Sequence, residues 1–409
     1  MAAEAVESPP VPQRPQTRPG YSLRELVLYF LYLGAAGFGG PVALVGYMHR
    51  DLVAARGWIT EEEYDEGLAL AQLAPGPLAA QLGVYLGFVH YGSLGATLAG
   101  IAFVLPSFAM VLAISAAYVA FGGIPWMQAV FYGVGAAVIG IIGISAYKLT
   151  GRTLKSDYLL WAIYLTALVT TVVTETENVL LFLGAGLLAW LVKAPPRRKV
   201  PPSLCLGAPL AALLPSAPAV DAGLMVQMAL FFGKAGAFVF GSGLAIVPFL
   251  YGGCVHELKW LDNRQFLDAV AVAMITPGPV VITTGFIGYL VAAGRAGGSA
   301  FAGLAGASVA ALATFLPCYL FTIIPAPHFK RWGKHPSVLA FVNGVTAAAT
   351  GAIAGAVIVL ARRSLVDLPT VGIAVATAVV LVRWKKAQEP VIILAAALLG
   401  MALRLFISG

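Results

Sequence analysis

The sequence predicts an all-α integral membrane protein made of two homologous halves, inverted relative to each other. Three observations lead there: an apolar composition with long uncharged runs, an internal repeat at fixed spacing, and glycine- and proline-rich breaks at matching places in each half.

Of 409 residues, 60% are apolar and 11% charged, and the mean hydropathy is +0.88. A soluble domain carries about 25% charged residues, so this chain cannot cover a water-facing surface and belongs in lipid. A spanning helix needs about 20 predominantly apolar residues. Leu94–Phe121 and Gln128–Ala146 meet that need without a charged side chain. Tyr158–Thr174, Val179–Val192, Phe301–Ile324, Val338–Ala361, Leu368–Val382 and Val391–Phe406 continue the pattern.

The first residues, 1–21, are rich in proline and lack an apolar stretch, and they read as a disordered cytoplasmic tail. The net charge of +7 sits in short loops between apolar runs, Lys193 to Lys199 among them. That is how topology-setting charge is distributed, and it argues against nucleic acid as a partner. Cys205, Cys254 and Cys318 are widely separated and the five histidines are scattered, so neither a disulfide framework nor a metal site is expected. No cofactor is expected either.

Phe38-Gly39 recurs as Phe240-Gly241, Trp58 as Trp260, and Pro75-Gly76-Pro77 as Pro277-Gly278-Pro279, all at a shift of 202 residues. After a nine-residue insertion in the second copy, Pro106 matches Pro317, Gly133 matches Gly344 and Gly140 matches Gly351. The expected organisation is a repeat over 22–192, a linker over 193–223 and a second repeat over 224–409. The Pro-broken stretch Leu204–Ala219 in the linker can supply the extra crossing that inversion requires. With Lys148, Arg152 and Lys155 cytoplasmic, inversion places Lys259, Arg264, Lys330, Arg331, Lys334, Arg383, Lys385 and Lys386 inside. Arg295, Arg362, Arg363 and Arg404 then fall outside, whereas a parallel repeat reverses this split.

Gly37 to Pro41 interrupts the first apolar segment and Pro75-Gly76-Pro77 the second, because proline removes a backbone donor and glycine loosens the helix. The breaks fit either a pair of re-entrant hairpins or a pair of interrupted crossings. Non-helical backbone at membrane depth must be enclosed by protein or line a cavity. Helices starting near Pro41, Pro77, Gly243 and Pro279 would aim free N–H groups and positive dipole ends into that space. Candidate anion-binding residues are therefore Gly39, Gly40, Pro41, Pro75, Gly76, Pro77, Gly241, Gly243, Pro277, Gly278 and Pro279. Gln72, Gln81, Ser242, Thr276, Thr283 and Thr284 add neutral hydrogen-bonding groups. Gly and Pro also serve packing and kinks in membrane helices. Their repetition at matching positions in both halves favours the site. Lys234 lies inside an apolar run and reads as either a source of positive potential or a snorkelling side chain.

These motifs carry a resemblance. FGGPVALVGYMHRDLV (38–53), AQLAPGPLAAQLGVYLG (71–87), FGSGLAIVPFL (240–250) and ITPGPVVITTGFIGYL (275–290) resemble the chromate ion transporter family in its long, two-half form. The resemblance implies chromate export across the bacterial inner membrane, energised by ion gradients and giving chromate resistance, with sulfate as a look-alike oxyanion. Leu44 stands where many relatives have histidine, and Leu78 where they often have a hydroxyl residue. No GxxxxGK[ST] sequence occurs, so ATP hydrolysis is not expected. Neither HExxH nor GxSxG is present, which argues against an enzyme. Transport of sulfate or another anion on the same fold, by cation-coupled uptake, stays open at this level, as do a passive channel and the oligomeric state.

Overall fold

The computed structural model describes residues 20–38, 40–121, 125–174, 179–195, 221–238, 246–329, 335–365, 367–384 and 389–407. Among these there is no strand. The first half contains α1 (Leu23–Ala36), α2 (Gly40–Met48), α3 (Glu61–Leu73), α4 (Leu78–Phe121), α5 (Pro125–Leu154), α6 (Tyr158–Thr174) and α7 (Val179–Lys193). The second contains α8 (Ala222–Ala237), α9 (Ile246–Tyr251), α10 (Asn263–Ile275), α11 (Thr283–Arg295), α12 (Ala300–Ile323), α13 (Pro336–Ser364), α14 (Leu368–Arg383) and α15 (Glu389–Ile407). The apolar runs read from the sequence fall on these helices.

The halves repeat each other down to single hydrogen bonds. Helices α2 and α9 both run on into π turns, His49–Ala55 and Gly252–Glu257. Each turn ends with a tryptophan amide donating back, Trp58 N–H to Leu52 O at 2.9 Å and Trp260 N–H to Cys254 O at 2.8 Å. Capping boxes follow at matching places, Thr60 with Glu63 for α3 and Asp262 with Gln265 for α10. Each satisfies amides that the first helical turn leaves without partners. Tyr21, at the end of the expected tail, is buried and stacks on Trp58.

On either side of the breaks the described residues pack against each other. Tyr29 Oη on α1 donates to Asp51 Oδ2 at 3.4 Å, across a turn centred near Gly40. Gly67 on α3 has room only for hydrogen, because a Cβ there would lie 2.3 Å from the Tyr85 ring. Those residues flank Gly76 symmetrically, so α3 and the start of α4 lie side by side. In the second half Phe231 stacks on Phe249, and Thr283 Oγ1 donates to Ala269 O at 2.7 Å. An interrupted straight helix would hold each of these pairs far apart at 1.5 Å rise per residue. The helices flanking each break thus lie side by side, as the two arms of a hairpin would.

The long run α4 is also two helices. Gly92 has φ 58° and ψ −151°, a conformation open to glycine, and Gly87 meets the Gly95 carbonyl beyond it. Its first leg (78–91) completes the hairpin with α3, and its second leg (93–121) is the long crossing. Gly297 and Gly298, with φ 63° and 88°, make the same reversal between α11 and α12.

The halves exchange their last helices. Gly133 on α5 abuts the Ala396 carbonyl on α15, and its repeat partner Gly344 on α13 abuts the Ala185 carbonyl on α7. Gly140 meets Ala374 on α14 while Gly351 meets Tyr164 on α6. Lipid tails are as apolar as leucine, so membrane helices associate through close backbone approach at small residues, and these glycines form that seam. The exchange also fixes relative direction. Thr97, near the start of the long leg of α4, hydrogen-bonds Tyr319, near the end of α12. Repeat-equivalent helices therefore run antiparallel. Helix α6 folds back against α5 through Thr150 and Tyr164, yet runs parallel to α13, with Tyr164 against Gly351 and Leu168 against Gly355. So α5 and α13 are antiparallel as well. Both pairs are what inverted halves produce.

Around this assembly Leu180 and Val173 (each 75% exposed) and Leu312 (72%) face outward, an apolar surface suited to lipid.

Candidate functional site

The hairpin tips of opposite halves meet. Gly278 N–H, in the second PGP turn, donates to Gly37 O at the first break, at 3.0 Å. Gly278 has φ 94°, and a Cβ there would come 2.9 Å from Ser107 Oγ. Gly76 in the first PGP turn has φ 146° and sits against Cys318 Sγ, 3.1 Å from where its Cβ would be. Ser107 and Cys318 follow the matched prolines Pro106 and Pro317 in the two long helices. Each PGP turn thus rests on the other half's long helix, and no side chain fits between.

The first helical bond after Pro77 is Gln81 N–H to Pro77 O at 3.0 Å, so the Leu78, Ala79 and Ala80 amides precede it and face the tip. In the second half Pro279 leads into a 3₁₀ turn, Val280–Ile282, before α11. Gln81 is fully buried, and its Nε2 donates to Pro75 O at 2.8 Å, holding the turn. Its Oε1 is buried with no hydrogen-bond partner among the described residues.

The expected hydroxyl groups lie close to these tips but are engaged. Thr276 Oγ1 donates to Val272 O and Ala273 O, Thr283 Oγ1 to Ala269 O, and Thr284 Oγ1 to Val281 O. Each would need a different rotamer to donate to an anion. Gln72 is exposed in the last turn of α3, three residues before Pro75. Lys234 is also exposed, with its ammonium 5.7 Å from the Phe249 ring centre. Pro41 stands at the start of α2 and Gly40 opens it, whereas Gly39, Gly241, Ser242 and Gly243 lie outside the described residues. Leu44 is buried against Gly37, where a Cβ would lie 2.5 Å from Leu44 Cδ2.

One part of the charge reading needs correction. Lys259 and Arg295 line the same cleft of about 410 Å³ at the base of the α10–α11 hairpin. Because α10 and α11 return to one side, Lys259 and Arg264 belong with Arg295 and not across from it. The split of second-half cations becomes even, and antiparallel packing carries the inversion in its place. Sequence reasoning also passed over Ser107, Cys318 and Asp268. The available signals were the shared position of the first two after matched prolines, and the alignment of Asp268 with Glu66 at the repeat shift.

Antiparallel halves, exchanged helices and hairpin tips meeting between them define the architecture of a multi-pass membrane transporter with inverted repeats. A chromate transporter family model matches residues 24–190 and 226–401, one span in each half. The chain belongs to the chromate transporter family. It is 63% identical over 387 residues to a chromate transport protein of Cupriavidus metallidurans, covering 94% of each chain. It is 61% identical to a probable chromate transport protein of Synechococcus elongatus, covering 94% of this chain and 96% of that one. Identity to a chromate transport protein of Pseudomonas aeruginosa is 32%, over 93% and 92% of the two chains. No solved structure matches.

Proposed function

We propose that this protein is a secondary transporter that exports chromate from the cytoplasm across the bacterial inner membrane. The observation that carries the proposal is the backbone contact between Gly278 and Gly37, which brings a tip of each half to one place. The second PGP turn carries Thr276, Thr283 and Thr284 beside this contact, and the first PGP turn carries the Leu78–Ala80 amides and Gln81. A tetrahedral dianion needs several directed donors there and, for release, no permanent cation holding it. The relatives named as chromate transport proteins support chromate as cargo. Sulfate shares its shape and charge and is the natural competitor.

The hairpins enter the membrane from one face in each half and stop at its middle. Positive-inside distribution puts Lys148, Arg152, Lys155 and Lys193 in the cytoplasm, and the N-terminus with them. Four crossings per half then return α7 to the cytoplasmic face while α8 starts on the outer face. The chain between them must change sides; Leu204–Ala219, expected to do so, lies outside the described residues. An interior-negative potential is worth about 2.3 kcal/mol per charge per 100 mV, roughly 4.6 for a departing dianion. Export therefore needs no nucleotide, and we assign the chain no catalytic step. One half rocks against the other, opening the meeting point to each side in turn.

Expression in a chromate-sensitive bacterium tests this reading: resistance should rise and cell chromium fall. Unchanged resistance with normal protein in the membrane contradicts it. Gln81→Leu keeps the volume but releases the PGP turn and removes the buried amide. Its chromate flux should drop several-fold at unchanged membrane level, and wild-type flux would remove Gln81 from the site.

A further inference from the structure

The second half buries a carboxyl group that the anion site does not use. Asp268, on α10, is 2% exposed. Tyr118, at the end of the long leg of α4, donates its hydroxyl to Asp268 Oδ2 at 2.7 Å. No ion pair holds Asp268 among the described residues. A charged carboxylate in such a place is costly unless compensated, and a buried acid can neutralise itself by taking a proton. An ionisable group inside a membrane segment is a functional candidate by default, and proton relays are among the roles such groups take.

Three further observations give this acid a direction. Tyr118 also lines the cleft that holds Lys259, Gln265 and Arg295, so the Asp268–Tyr118 pair sits just behind a water-accessible surface. Asp268 stands on the hairpin whose tip, Gly278, touches Gly37. The arrangement is also one-sided. The repeat equivalent of Tyr118 is Phe329, which has no hydroxyl to offer Glu66, the equivalent of Asp268. Two-fold architecture alone therefore does not account for the pair.

We propose that Asp268, gated by Tyr118, is the proton-carrying group that couples chromate export to proton re-entry. This rests on the export reading and its orientation, which place the cleft on the outer face. A proton arriving from outside binds Asp268 and neutralises it. The α10–α11 hairpin, freed of a buried charge, can shift with its tip, and the proton leaves once the pair faces the cytoplasm. The charged groups that act on Asp268 are Arg264 and the cap Asp262 at the start of its own helix; His256 and Glu257 belong to the preceding π turn, where His256 packs on Tyr251. Helices α5 and α15 present apolar surface to α10, through Gly135 against Leu267 and through Ile393 and Ala397.

The test uses the full-length protein in proteoliposomes with the membrane potential clamped at zero and a pH gradient imposed. Wild-type chromate flux should rise several-fold with the gradient, and a pH-sensitive dye should report proton movement when chromate is added. Asp268→Asn should lose both responses. Tyr118→Phe, which keeps the ring and removes the donor, should move the pH of half-maximal gradient-driven flux upward. Chromate flux indifferent to the gradient in the wild type overturns the coupling and leaves export standing. Absence of any wild-type chromate flux overturns export and the coupling with it. Asp268→Asn retaining the gradient response contradicts the assignment. If that variant does not assemble, an unchanged pH midpoint in Tyr118→Phe contradicts it equally.

Discussion

Gly278→Val should reach the membrane in normal amount and carry no chromate. Gly278 has φ 94°, a region that a β-branched residue occupies only under strain of about 1–3 kcal/mol. Its Cβ would stand 2.9 Å from Ser107 Oγ and 3.4 Å from Gly34 O. Valine therefore pushes the second-half tip away from both the long helix and the first-half tip, and breaks the Gly278–Gly37 hydrogen bond. The crossings that fix insertion lie elsewhere and are untouched. Gly76→Val acts the same way from the other half, with its Cβ 2.7 Å from the Gln81 amide carbon. Gly46→Ala is the control, since nothing lies within 4 Å of its Cβ position. Chromate flux per membrane-inserted molecule is the readout, and wild-type flux in Gly278→Val would separate the tips from transport.

Gly351→Leu acts on assembly instead of the site. A Cβ at Gly351 would lie 2.2 Å from Tyr164 O and 3.0 Å from Tyr164 Cα. The obstacle is backbone of α6, which cannot turn aside as a side chain could. Helices α13 and α6 must part, and a seam that depends on close approach is lost along its length. Overpacking costs about 1–3 kcal/mol where neighbours yield, and main-chain obstruction puts this case at or beyond the upper end. Thermal unfolding in detergent should fall by several degrees or the protein should not accumulate. Gly184→Leu, on the exchanged helix α7 but with nothing within 4 Å of the Cβ position, should be tolerated. Equal loss in both variants would mean that the exchange seam is not what holds the halves.

The crossings were legible in the sequence because an apolar run of spanning length has few alternatives to a membrane helix. The repeat was legible because Trp58 and Trp260, and the two PGP turns, keep one spacing and mark recurring hydrogen-bond geometry. What composition could not decide was direction at the breaks. A glycine–proline interruption looks the same whether the chain continues or returns, and only cross-tip contacts such as Gly67 with Tyr85 separate the two. The Gly92 reversal was hidden for a related reason, since one glycine inside a long apolar run reads as helix. Side-chain roles were less legible still. Thr283 and Gln81 fall at the expected tips, but their hydrogen-bond partners depend on backbone groups that only the folded hairpin brings near. A charge tally does not see side-by-side helices, so it sets Lys259 across the membrane from Arg295.

Radiolabelled chromate movement in everted membrane vesicles, with sulfate as competitor, tests the export reading most directly. Energised vesicles carrying the protein should accumulate chromate above vesicles without it, and accumulation should collapse when the ion gradients are dissipated. Uptake no greater than in vesicles lacking the protein would contradict the account.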